Sequence, residues 1–112
     1  MIKDDKVIAM HKLSLSKQLI EQIVSKTLED VKVEKIVVFG SQVRGDHRKS
    51  SDIDIALFGV KNKRVFLLKD KLNEELDTLR DVDLVLFEAL TNEKLKHRIL
   101  KEGVIIYERS LK

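Results

Sequence analysis

The stretch "FGSQVRGDHRKSSDIDIALF", residues 39–58, sets anion-binding groups directly beside carboxylates. Gly40, Ser41, Arg44 and the basic run His47-Arg48-Lys49 suit an anion, yet Asp52 and Asp54 follow with only Ile53 between them. "DIDIALF" (52–58) alternates at period two. It reads as a strand with Ile53, Ile55 and Leu57 on one face and Asp52, Asp54, Ala56 and Phe58 on the other. "KIVVF" (35–39) is a short, β-branched apolar run closed by Gly40, which reads as a buried strand. A strand, a charged turn and a second strand therefore form the centre from which the rest of the chain is read.

Upstream, Leu19, Ile20, Ile23, Val24 and Leu28 recur at helical spacing behind Ser16, an N-cap, with Leu15 placed to staple against Ile20. Downstream, Val65, Leu68, Leu72, Leu76 and Leu79 trace one face of a helix of about four turns. "DVDLVLF" (81–87) reads as a third strand. A last helix, capped by Thr91 and stapled by Leu90 and Leu95, stops at Gly103, and "VIIY" (104–107) follows as a short fourth strand. The order predicts an α/β (α+β) fold, a small mixed sheet with helices packed against it.

The chain has 112 residues, 43% of them hydrophobic, which is enough for one core and short for two. A single domain over 1–112 is expected, with 1–12 as a loosely held N-terminal arm. Cysteine is absent, so disulfides and thiolate chemistry are excluded. No apolar run approaches the ~20 residues of a membrane span, and a cytoplasmic protein is the default expectation. The net charge of +3, with 37% charged residues of both signs, names no partner by itself. The three histidines lack ligand spacing. No Gly-Lys-Ser/Thr ending follows Gly40, which argues against a P-loop. Phe39, Phe58, Phe66 and Phe87 sit in apolar segments and read as core rather than as platforms for stacking bases, so nucleic acid is not an expected partner.

Two aspartates at i and i+2 on a strand stand roughly 6 to 7 Å apart on one face, so their carboxylates can converge. Like charges that close repel unless a cation lies between them. Magnesium suits the position: it takes one or two carboxylates and fills its remaining sites with water and phosphate oxygens. Asp81 and Asp83 repeat the spacing on the third strand. Asp83, flanked by Val82 and Leu84 inside the strand, is the better third carboxylate; Asp81 reads as the cap of the strand's start. On the anion side, Gly40 lets backbone approach a ligand closely, and Ser41 stands at what reads as the start of a short helix, whose N–H groups would hold phosphate. Arg44, about one turn on, can add a charge-assisted bond. Together these groups describe a nucleoside triphosphate bridged by magnesium, the chemistry of phosphoryl or nucleotidyl transfer.

Gly40-Ser41, ten residues, then Asp52-Ile53-Asp54 resembles the G-S-x10-D-x-D signature of the nucleotidyltransferase superfamily that includes DNA polymerase beta. The fuller "GSQVRGDHRKSSDIDIAL", the later "VDLV" and the ending "ILKEGVIIYE" look like its minimal branch, the MNT nucleotidyltransferases, over roughly residues 13–108. Val43 stands where that family often has alanine, a conservative change. The resemblance implies that Asp52 and Asp54 bind two magnesium ions, and that Asp83 binds one of them and helps to deprotonate the attacking hydroxyl. It also implies that Gly40, Ser41 and Arg44 hold the triphosphate of ATP. Minimal members resemble antitoxins paired with a small all-helical HEPN-type partner, some of which transfer AMP to a tyrosine of that toxin. The expected function is thus magnesium-dependent transfer of AMP to a partner's hydroxyl. The alternatives are transfer to a small molecule or an RNA end, and a non-catalytic antitoxin or binding subunit that acts by complex formation.

Overall fold

A computed structural model describes residues 15–40, 52–60 and 65–109. Helix α1 spans Lys17–Asp30, strand β1 Lys35–Phe39, strand β2 Ile53–Phe58 and helix α2 Val65–Glu75. Strand β3 spans Val82–Leu86, a single 3-10 turn Phe87–Ala89, helix α3 Glu93–Glu102 and strand β4 Val104–Glu108. Each predicted element in the described residues is present, and the mixed α/β architecture is the one expected.

Among the described residues the strands form a four-stranded sheet in the order β3-β2-β1-β4. β1 pairs antiparallel with both β2 and β4, whereas β2 and β3 run parallel, joined by α2 as crossover. Both faces of the sheet are covered. Ile53, Ile55 and Leu57 point, as the alternation predicts, into the main core, where they meet Ile20 and Ile23 of α1 and Leu68 and Leu72 of α2. On the opposite face Val37, Phe39, Ala56 and Phe58 pack with Ile99 of α3. There Phe58 stacks on Phe87, ring centroids 4.3 Å apart.

Local signals explain most boundaries. Ser16 caps α1, its Oγ accepting from Leu19 N–H at 3.1 Å, and Leu15 and Ile20 lie together in the core. Four expectations are corrected. α3 is capped by Asn92, not Thr91: the Asn92 Oδ1 accepts from Leu95 N–H at 3.1 Å. α2 ends at Glu75, a turn short of Leu79, which is fully exposed. The Gln22 Oε1 accepts from Asp77 N–H and the Thr78 Oγ1 from Arg80 N–H, so side chains rather than helical carbonyls take these amides. On α1, Thr27 takes the inward position and Leu28 is exposed. Phe66 is also exposed, at 62%, whereas Phe39 and Phe58 are buried as expected. No helix among the described residues is long and apolar enough to cross a membrane.

Candidate active site

Strand direction decides which carboxylates meet. Because β2 and β3 are parallel, Asp54 lies directly beside Asp83 in the register, and Ile53 N–H donates to the Asp81 carbonyl at 2.8 Å. Adjacent strands are about 4.8 Å apart, so neighbouring side chains on one face are in reach of each other. Asp54 shares its face with Ala56 and Phe58, and Asp83 shares that face with Val85, which packs in the same cluster. Along both strands this face runs from carboxylate at the start to apolar residues at the end. The β2–β3 pair thus gathers its aspartates at one end, and its apolar end is sealed under α3.

Gly40 closes the third side. It follows β1, whose last residue Phe39 is paired with Asp54. Its φ is +80°, in the left-handed region that favours glycine, and a Cβ at this position would lie 2.5 Å from the Asp54 Oδ2. The missing side chain therefore lets the backbone lie against a carboxylate. The sequence suggested only approach to a ligand; the structure adds this second reason for glycine.

Asp52, one step before β2, and Asp83 are exposed, and Asp54 is half-buried. The Asp83 carboxylate accepts from Lys69 of α2 at 3.1 Å, with both side chains about half exposed. Asp81 precedes β3, as expected, and contributes its backbone carbonyl there. Ser41, Arg44 and the run His47-Arg48-Lys49 lie outside the described residues. Sequence reasoning missed Lys69 and Asn73. Lys69 stands one turn before Asn73 on α2, a polar pair at i, i+4 beside the apolar stripe of Leu68 and Leu72; that spacing was the available signal.

Among the described residues, no group of three or more Asp, Glu or His side chains is arranged to hold a metal ion. Two carboxylates side by side, with backbone packed where a Cβ would otherwise intrude, nevertheless fit a hard cation that requires only one or two protein carboxylates. Lys69, which holds one oxygen of the Asp83 carboxylate, competes with such a cation for its charge.

The family described as polymerase beta, nucleotidyltransferase matches residues 18–112. A relative from Methanocaldococcus jannaschii, named as a protein adenylyltransferase, is 37% identical over 81 residues, covering 68% of this chain and 80% of that protein. Among solved structures, a toxin–antitoxin complex with AMP-PNP has a chain that matches with a TM-score of 0.66 and 26% identity, over 80% of this chain and 73% of the other. A chain of the MntA-HepT toxin–antitoxin complex matches with a TM-score of 0.65 and 23% identity, over 84% and 74%, a likeness of fold.

Proposed function

The chain belongs to the polymerase beta nucleotidyltransferase family, and on that premise we propose that it transfers AMP from ATP to a hydroxyl, most simply a tyrosine of a small helical HEPN-type partner whose toxicity it controls. The observation that carries this reading is the parallel pairing of Asp54 with Asp83 beside Gly40. The M. jannaschii relative's name supports a protein acceptor, and the toxin–antitoxin neighbour with AMP-PNP supports an adenine nucleotide and a paired partner.

In this reading Asp52, Asp54 and Asp83 hold two magnesium ions, and Gly40, Ser41 and Arg44 hold the triphosphate. Bound magnesium would neutralise charge on the phosphates and polarise the α-phosphorus. The acceptor oxygen attacks that phosphorus in line; the bond to the bridging oxygen of the β-phosphate breaks, pyrophosphate leaves, and Asp83 takes the hydroxyl proton.

The test is to incubate the chain with α-labelled ATP, magnesium and the product of the neighbouring gene. Label should appear on the partner and be lost in Asp52→Ala and Asp54→Ala. A tight complex with no label, still neutralised by both variants, would instead establish an antitoxin that works by binding alone.

A further inference from the structure

Lys69 and Asn73 project from α2 onto the first residues of β3. The Asn73 Oδ1 accepts from Val82 N–H at 2.7 Å, and its Nδ2 donates to the Val82 carbonyl at 3.1 Å and to the Lys69 carbonyl at 3.0 Å. Among the described residues β3 is an edge strand, and these are the two Val82 groups that face away from β2. One carboxamide thus takes the place of a missing strand partner, and the backbone just before Asp83 is held from both sides. With its backbone fixed, Asp83 can change partner only by rotating its side chain. The partner it has is the Lys69 ammonium, 3.1 Å away.

Resting on the proposed function, we infer that Lys69 is a positioning residue: a displaceable counter-ion that neutralises Asp83 beside Asp54 and competes with a divalent cation for the Asp83 carboxylate. Carboxylates at adjacent register positions repel to the extent that neighbouring cations do not compensate them. A lysine on the neighbouring helix relieves that repulsion. An exposed ion pair is weak enough to be exchanged for a cation that binds two carboxylates at once. Lys69 therefore raises the cation concentration at which Asp83 is recruited, so that the carboxylate is engaged when metal arrives with the phosphates of a nucleotide.

The test is Mn2+ titration of the full chain followed by water-proton relaxation, without nucleotide, so that no turnover enters the readout. Lys69→Met should raise Mn2+ affinity by roughly twofold to fivefold, the scale of one exposed ion pair. Lys69→Arg, which keeps the ion pair, should leave affinity at or below the wild-type value. In an Asp83→Asn background, Lys69→Met should change nothing. An unchanged or weakened affinity in Lys69→Met, or the same gain with and without Asp83, would overturn the inference while leaving the proposed function standing. If wild-type protein bound no Mn2+ that Asp54→Asn removes, the metal-dependent function itself would fall, and the role of Lys69 with it.

Discussion

Gly40 meets two demands that no other residue satisfies together: a φ of +80° and space for the Asp54 carboxylate 2.5 Å from where a Cβ would stand. Gly40→Ala should therefore act on stability and on the site at once. The backbone strain alone is worth about 1–3 kcal/mol. Displacement of Asp54 should weaken Mn2+ binding beyond what the stability loss explains. Urea denaturation and Mn2+ titration on the same variant separate the two effects; a variant destabilised but binding Mn2+ as tightly as wild type would show that Gly40 serves only the turn. The residue itself was legible because glycine after an apolar run, followed by serine and a spaced Asp-x-Asp, is a specific pattern. Its contact with Asp54 was not, because it depends on β1 and β2 being antiparallel with Phe39 opposite Asp54.

At the scale of elements, α1 and α2 are joined by charge as well as by their apolar faces. Lys71 donates to Glu29 at 2.7 Å, to Asp30 at 3.3 Å and to the Lys26 carbonyl at 3.3 Å, which places a cation at the C-terminal turn of α1. Lys26 returns the link by donating to Glu75 at 3.0 Å. The bond to Lys71 holds the Glu29 carboxyl below its ordinary 4.5, and the bond to Glu29 raises Lys71 above its ordinary 10.5. For Glu29 the folded pKa is depressed, so its contribution is full above 4.5 and is lost as pH falls through the lowered value. For Lys71 the folded pKa is raised, so its contribution is full below 10.5 and is lost as pH rises through the higher value. Glu29→Gln should flatten the acid limb: below 4.5 the urea midpoint of wild type should fall more steeply with pH than that of the variant. Parallel acid limbs would show that the pair adds nothing. Element types were readable from periodicity, and the Ser16 cap from chemistry. The end of α2 was not, because Leu79 kept the helical period while Gln22 and Thr78 claimed the amides that would have continued it.

For the molecule as a whole, β2 is the element that joins core to site. It is an interior strand, its Ile53, Ile55 and Leu57 are fully buried under α1 and α2, and its other face carries Asp54 at one end and Phe58 at the other. Ile55→Ala should cost about 2–5 kcal/mol, read from the urea midpoint, because a central-strand site packed from both faces has little room to collapse. A loss below 1 kcal/mol, the scale of a surface change, would mean that the core beneath the site repacks freely.

By itself the sequence determined the element types, the alternation that assigns Ile53, Ile55 and Leu57 to the core, and the local spacing of Gly40, Ser41, Asp52 and Asp54. These are properties of a few adjacent residues, and periodicity with backbone chemistry suffices to read them. Only the tertiary structure decided that β2 and β3 run parallel, that Asp54 therefore stands beside Asp83, and that Lys69 and Asn73 of α2 hold the start of β3. Strand direction and register follow from how the crossover helix packs, a long-range choice. Had β3 run the other way, Asp83 would lie at the far end of the sheet with the sequence pattern unchanged.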